Sequence, residues 1–455
     1  MTESPCTDDT IFARASGAGR AGVAVYRVSG PLAGAVAAAL TGRRLAPRAA
    51  RLVRLRDASG ATIDRGLAIF FAGPASFSGE DVVEFHLHGG RAIEAGLVEA
   101  LAALGARPAE AGEFTRRALL NGKLDLAQAE ALADLIDAET AKQRRRALGQ
   151  FEGRLSALAE GWRARLVAVL APLEAAIDFP EEEGIPAAIA EKAGPAIAAL
   201  LAELRSYKEG AAAARRLREG VHVAIIGAPN AGKSSLLNAL AGAEVAIVTA
   251  APGTTRDIVE ARLDLAGVPA ILADTAGIRD QSTDEIELEG IRRARARADA
   301  ADLRVLVVDP CTEQAAGPRP APVVSRETLL RPGDVLVWSK KDLGAAPGAA
   351  PAGVSAFHLS ARTGEGMVAF LAALAAAASR LAGDAEGAAL TRLRHVRAVE
   401  KAIAALERAA ARGGADPELA AEDARLAARA LGEITGAVDV EDVLDEIFAS
   451  FCIGK

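Results

Sequence analysis

Aromatic residues make up only 4% of this 455-residue chain, and it holds three cysteines, two methionines and five histidines. Cys6, Cys311 and Cys452 are odd in number and far apart. That excludes a disulfide framework and suits a reducing cytoplasm, the expected location. No apolar run reaches the roughly 18 uncharged residues that a bilayer span needs, so no membrane crossing is expected. The start, MTESPCTDDTIFARASG, lacks a basic region leading into an apolar core, so no secretion signal is expected. A net charge of −7 gives no general attraction to nucleic acid, although arginines can still gather on one face. A dinucleotide-binding G-x-G-x-x-G after a strand is also missing, because SGAGRAG (16–22) follows no clear strand.

What is present points to a large globular protein. Hydrophobic residues make up 51% and charged residues 25%. Abundant alanine favours helix, and the length implies roughly three domains rather than one core. Residues 1 to 118 mix short β-like runs such as AGVAVYRVSG and VVEFHLHGG with glycine-rich turns, followed by a helical run. From Gly122 the chain becomes glycine-poor and periodic at helical spacing, interrupted by FPEEEGIP (179–186). From VHVAIIG strands alternate with helices, the pattern of a parallel-sheet domain. The end is helical again. The expected architecture is multidomain, α/β plus α. It has an N-terminal α+β domain (1–118), a helical domain in two segments (119–215 and 381–455), and an α/β domain (216–380) inserted between them.

The strongest motif is VHVAIIGAPNAGKSSLLNAL, which contains Gly227, Gly232, Lys233 and Ser234 at G-x-x-x-x-G-K-S spacing between a strand and a helix. Small residues let backbone N–H groups wrap a phosphate at the positive end of the helix, so Asn230, Ala231 and Ser235 join the expected nucleotide contacts. Lys233 reaches the outer phosphates and Ser234 offers a hydroxyl to Mg²⁺. IVEARLDLAGVPAILADTAG reads as two strands joined at Gly267. The second ends in Asp274, Thr275, Ala276 and Gly277, where the carboxylate suits the Mg²⁺ shell and the glycine N–H the γ-phosphate. In VTAAPGTTRD, Thr254 and Thr255 occupy the place of a switch threonine. Ser339, Lys340 and Asp342 follow a strand, where a carboxylate can accept two hydrogen bonds from guanine but not from adenine. Ser360, Ala361 and Arg362 in LSARTG supply the other side of the base. Serine stands at 339 where GTPases usually carry Asn or Thr, which predicts somewhat weaker guanine affinity. Ile278 stands where Ras-like enzymes orient water with a Gln, so another group must do so, and the acidic stretch 280–290 is close by. Asn230 and the VTAAPGTT loop suggest a monovalent cation beside the phosphates.

These motifs, together with GRAGVAVYRVSG, SFSGEDVVEFHLHGG, GEFTRRALLNGKLDLAQAEALADLIDA, DFPEEE and DEIFASFCIGK, resemble the MnmE (TrmE) family of tRNA modification GTPases along essentially the whole chain. The resemblance implies an N-terminal folate-binding domain that pairs two copies into a homodimer, and a Ras-like P-loop GTPase domain as the inserted one. It also implies K⁺-stimulated hydrolysis, with K⁺ held by Asn230, Thr249, Ala251 and Thr254 and Mg²⁺ by Ser234 and Thr255. A switch glutamate would handle the water: Glu287 by the family spacing, with Glu285 and Glu289 kept open because the switch is one residue longer than usual. A 5-formyl- or methylene-tetrahydrofolate would meet Arg27, Glu84, Lys123 and the terminal Lys455. The partner would be the flavoprotein MnmG (GidA), and the product a carboxymethylaminomethyl-type group on the wobble uridine (position 34) of certain tRNAs. Cys452 would take part in that chemistry in a role left unassigned. The competing reading is an Era- or Der-like assembly GTPase that binds RNA or ribosomes.

Other features have plainer expectations. His86 and His88 fall on one strand face without an acidic or cysteine cluster to complete a metal set. The basic stretch 142–154 suits either tRNA phosphates or a solvated helix face. VDVEDVLDEIFASF reads as an amphipathic helix burying Val443, Leu444, Ile447 and Phe448 and turning the tail inward.

Overall fold

In a computed structural model of the chain, the described residues are 9–178, 193–228, 230–247, 260–274, 298–311, 329–383, 390–412 and 416–438, with 444, 447, 448, 451 and 454. They form two compact units. The first comprises Met1–Ala133, Gln150–Ala164 and Ala428–Lys455, and the second Asp134–Gly149 and Arg165–Ala427.

The first unit is built on strands β1 (Thr10–Arg14), β2 (Ala21–Ser29), β3 (Arg51–Arg56), β4 (Thr62–Phe71), β5 (Val82–Gly89) and β6 (Ala106–Pro108), in the order β3-β4-β5-β2-β1-β6. All neighbours are antiparallel except β1 and β6. Alternation decides the faces. Val83, Phe85 and Leu87 of β5 join Ala24, Tyr26 and Val28 of β2 in one core, against helices α1 (Ala33–Thr41) and α2 (Arg91–Ala103). Burying a ring such as Phe85 contributes about 2–3 kcal/mol. The alternate residues, Arg27, Glu84 and His86, therefore face the other way. On that side Ile11, Ala13, Ala109 and Phe114 form a small cluster with Phe77, and Phe114 belongs to helix α3 (Glu113–Leu120). Helix α4 (Leu126–Ile136) packs Leu126 and Ala129 on Leu444, Phe448 and Phe451. The expected amphipathic end is thus seen at Leu444 and Phe448, with Ile447 half-buried beside them, while Val443 lies outside the described residues.

The second unit contains most of α5 (Ala141–Phe151), the Arg165–Asp178 part of α6 (Arg154–Asp178), and α7 (Ala193–Glu219). A sheet follows, made of β7 (Val221–Ile226), β8 (Glu260–Leu265), β9 (Val268–Asp274), β10 (Leu303–Val308), β11 (Val335–Trp338) and β12 (Ser355–His358). Its order is β12-β11-β10-β7-β9-β8. All pairs are parallel except β8 with β9, which form the expected hairpin. Positive φ at Ala266 (55°) and Gly267 (85°) gives the tight turn that matches strand twist. Helix α8 (Lys233–Ala241) follows β7, and α9 (Met367–Ala382) follows β12. β10 and β11 are almost wholly buried, as a parallel sheet covered on both faces requires. Helix α10 (Leu393–Arg412) packs along α7, tied by Arg205–Glu407 at 2.7 Å and Lys208–Glu400 at 3.0 Å. Helix α11 (Pro417–Thr435) follows. The sheet therefore lies in sequence between two helices that pack on each other.

Candidate functional site

The phosphate loop leaves β7 at Gly227 (φ 152°), where any Cβ would run into the carbonyl oxygen of Val307. Asn230 and Gly232 take left-handed conformations (φ 61° and 100°), and the helix opens at Lys233. Only a short side chain or none tolerates this path. Lys233 is 6% exposed, and its Nζ donates to the carbonyl oxygens of Gly227 (2.9 Å) and Ala228 (2.8 Å). The ammonium thus sits over its own loop, where a phosphate can replace those carbonyls. Ser234 and Ser235 are exposed in the first helical turn, beside the positive helix end. Ala231 is buried and Asn230 exposed.

A second set of groups gathers at the ends of β11 and β12. The Ser339 hydroxyl donates to the Ala231 carbonyl oxygen at 2.6 Å, so serine does link this region to the phosphate loop. Asp342 Oδ1 accepts from the Ser360 hydroxyl at 2.6 Å, and Oδ2 accepts from Arg362 Nη2 at 2.7 Å. The Ser360 hydroxyl and then the Arg362 guanidinium hold the Asp342 carboxyl below its ordinary range. Ala361 is half-buried in the adjoining turn. Lys340 adopts φ 56°, and its Nζ pairs with Asp309 Oδ2 at 2.7 Å. Asp309 was not singled out from sequence. Its signal was a carboxylate ending the buried strand LRVLVVD.

In the first unit, cross-strand register sets Arg27 opposite Glu84. Arg27 Nε and Nη2 donate to Glu84 Oε1 at 3.0 and 2.8 Å. The guanidinium lies 5.2 Å from the Phe77 ring centroid and 5.7 Å from that of Phe114. His86 Nε2 stands 3.5 Å from Glu84 Oε2. The result is a half-exposed polar pair between aromatic rings, able to take a flat ligand with a hydrogen-bonding edge. Exposed Lys123 passes the loop at Gly79, where an added Cβ would stand 3.3 Å from the Lys123 Cγ. Gly454 is buried, and an added Cβ there would meet the Arg14 carbonyl oxygen. Since Ala13 faces Arg27 across the strands, the tail returns to the strand next to this pair.

Sequence reading missed the ionic cluster beneath. Arg117, 3% exposed, meets Asp9 at 2.7 Å, Glu113 at 2.9 Å and Glu80 at 3.2 Å, while Arg107 pairs with Glu113 at 2.6 Å and Asp9 at 2.5 Å. Burial opposes the charge on Glu113, yet Arg107, the Glu110 backbone N–H and Arg117 hold its carboxyl below the ordinary range. The i,i+4 spacing of Glu113 and Arg117 was the available signal.

Several expectations fall outside the described residues: Thr249, Ala251, Thr254, Thr255, Thr275, Ala276, Gly277, Glu285, Glu287, Glu289, Cys452, Lys455, the Asp274 side chain and DFPEEE. Among the described residues no cluster of potential metal ligands occurs, and His88 pairs with Asp64 at 3.0 Å. In the basic stretch, Arg144 and Arg145 are exposed, but Arg146 fits neither expectation for it. It is buried and donates to the Ala214 carbonyl oxygen at 3.0 Å, and burial lowers its pKa to about 10.

A parallel sheet whose strand ends present a phosphate loop and a carboxylate fixed by Ser360 and Arg362 has the architecture of a P-loop GTPase. Comparison with known proteins narrows this. Residues 10–123 match the family described as GTP-binding protein TrmE N-terminus, and residues 126–452 match the MnmE helical domain. A tRNA modification GTPase MnmE from Parvibaculum lavamentivorans is 54% identical, covering 98% of this chain and all of that one. Its counterpart from Paramagnetospirillum magneticum is 51% identical, with the same coverage. The chain belongs to the MnmE family of tRNA modification GTPases. Among solved structures, the G domain of the T. maritima FeoB iron transporter aligns at 25% identity with a TM-score of 0.23, over 36% of this chain and 99% of that one.

Proposed function

We propose that this chain is the GTP-hydrolysing component of a tRNA wobble-uridine modification system. It acts in the cytoplasm with a flavoprotein of the MnmG (GidA) type and a 5-formyl- or methylene-tetrahydrofolate. In this reading residues 1–118 hold the folate and pair two copies into a homodimer. The G domain, 216–380, is inserted into a helical domain made of 119–215 and 381–455. The packing of α7 on α10, on either side of the sheet in sequence, supports that insertion.

The residues fit the groups they would hold. Ser234 and Thr255 offer hydroxyls to Mg²⁺, and Asn230, Thr249, Ala251 and Thr254 offer oxygens to K⁺. These cations supply positive charge at the phosphates. Lys233 neutralises the outer phosphates, Ser339, Lys340, Asp342 and Ser360 fix the guanine, and Glu287 orients water in place of the Gln that Ile278 cannot replace. For the folate, Glu84 suits the pterin edge, while Arg27, Lys123 and Lys455 suit its carboxylates. A bound folate supplies the one-carbon unit, and Cys452 acts at that end of the chain.

The observation that carries this reading over an assembly GTPase is the Arg27–Glu84 pair between Phe77 and Phe114, which nucleotide hydrolysis does not require. The deciding experiment is nucleoside mass spectrometry of tRNA from cells lacking the chain. The carboxymethylaminomethyl-type uridine should vanish and return with the wild-type chain but not with Cys452→Ser. Unchanged uridine together with defective ribosome assembly would replace this reading with the other. Hydrolysis should also fall sharply in Na⁺ relative to K⁺, and in single turnover after Glu287→Ala.

A further inference from the structure

Residues 43–65 contain seven arginines against two aspartates, in a chain whose net charge is −7. The β3–β4 hairpin concentrates them. Arg54 and Arg65 stand directly opposite each other across the strands, and both are exposed. Like charges in direct opposition destabilise a sheet. Arg51 is exposed on the same strand as Arg54, and Arg43 and Arg44 are exposed in the connection from α1 to β3.

Among the described residues, the guanidinium groups of Arg43, Arg44, Arg51, Arg54 and Arg65 have no ion pair or hydrogen bond, and Arg65 bonds Asp64 only through its backbone N–H, at 2.7 Å. Both aspartates of the segment are engaged elsewhere. Asp57 accepts from the Ser59 hydroxyl at 2.6 Å and from the Ala61 backbone N–H at 3.0 Å, closing the hairpin turn. Asp64 accepts from the His88 backbone N–H at 2.9 Å and pairs with its ring. Elsewhere exposed arginines commonly find acids: Arg165 with Glu203, Arg205 with Glu407 at 2.7 Å, and Arg425 with Glu174 at 3.1 Å.

Protection of the outer strand against pairing with another chain accounts for charge on β3. It does not account for Arg65, because β4 is hydrogen-bonded on both sides. Register also fixes the face. Leu67 opposes His86 and Ile69 opposes Glu84, so Arg65 lies on the sheet face that carries Arg27 and Glu84. It is four residues along β4 from Ile69, roughly 13 Å.

We propose that this arginine face is the docking surface for the phosphodiester backbone of the tRNA, holding it on the same sheet face as the one-carbon site. The inference rests on the tRNA-modifying reading above. The exposed like-charge row is stabilised when phosphates sit between its members and counterions leave them.

The test is fluorescence anisotropy of labelled tRNA with the full-length chain at several salt concentrations. Arg54→Gln/Arg65→Gln should weaken binding about tenfold near 0.1 M salt and reduce the log–log salt slope by about 1.5, as loss of two phosphate contacts predicts. GTP turnover and folate binding should be unchanged, and the melting temperature should hold or rise because a repulsion has been removed. Arg54→Lys/Arg65→Lys should keep most of the affinity, which guards against a folding artefact. Unchanged affinity and slope in the Gln variant would overturn the proposal, as would absence of salt-dependent tRNA binding by the wild type. Tighter binding of the wild type to anionic vesicles than to tRNA would assign the face to a membrane surface instead. Nucleoside analysis separates the two readings: if the wobble uridine still depends on the chain while the Gln variant binds tRNA normally, only the docking face is lost.

Discussion

Each unit of this protein is built on a six-stranded sheet, and the two sheets assemble their polar sites by different means. The second unit's sheet is parallel apart from one hairpin, and its candidate site groups follow the carboxyl ends of strands: Lys233 after β7, Asp309 after β10, Ser339 to Asp342 after β11, Ser360 after β12. Each group sits in a short contiguous motif, because a parallel sheet aligns all its strand ends on one side. The first unit's sheet is mostly antiparallel, and its site comes from lateral register. Arg27 and Glu84 are 57 residues apart in sequence yet share two hydrogen bonds. A motif scan finds the first kind of site, whereas the second needs the pairing of strands.

The comparison also separates their failure modes. The largest effect is expected in the first unit, where Arg117 serves three carboxylates at 4% side-chain exposure. Arg117→Met should cost about 3–5 kcal/mol, since it strands buried negative charge. Denaturant titration would measure the loss, and a cost within error would show that the cluster is incidental. The pH sign follows from the lowered carboxyls of Asp9 and Glu113. Their contribution is complete above the ordinary values of 3.8 and 4.5 and is lost as pH falls through the lower native values. Acid sensitivity should therefore shrink in Arg117→Met.

Next comes Lys233→Ala, which should reduce GTP turnover about 100-fold or more while leaving folate binding intact. Loss of both by calorimetry would contradict the independence of the sites. Glu84→Gln should lower folate affinity about tenfold with GTP turnover unchanged, a value of one charge-assisted hydrogen bond. The smallest effect is expected at Asp309, whose carboxylate pairs with Lys340 Nζ at 2.7 Å. Asp309→Asn should raise the KM for GTP about fivefold at constant kcat, and Asp309→Glu should recover part of it. A fall in kcat with unchanged KM would give Asp309 another role.

The phosphate loop, the β8–β9 hairpin at Gly267 and the burial of Leu444 and Phe448 were legible, because each shows in a pattern of neighbours within about ten residues. At 339 only the residue type was legible, and the structure supplies the acceptor of its hydroxyl, the Ala231 carbonyl oxygen in the phosphate loop. Arg146 shows the opposite case. Nothing in KQRRRALGQF distinguishes it from Arg144 and Arg145, and only the packing of α5 by Ala214 buries it. The pair Lys340–Asp309 and the contacts of Arg117 with Asp9 and Glu80 were hidden for the same reason, since their partners come from distant segments.

Sequence by itself therefore determined the class of this protein. A phosphate loop is a local backbone path that only certain small residues permit, and its helix and lysine follow at fixed spacing. The tertiary structure decided which charges are satisfied and which are left exposed. It closed Arg117 around three carboxylates, set Arg27 against Glu84, and placed Arg54 opposite Arg65 with no partner for either guanidinium among the described residues. Such pairings depend on register between strands, and no single segment of the chain encodes the identity of the residue across from it.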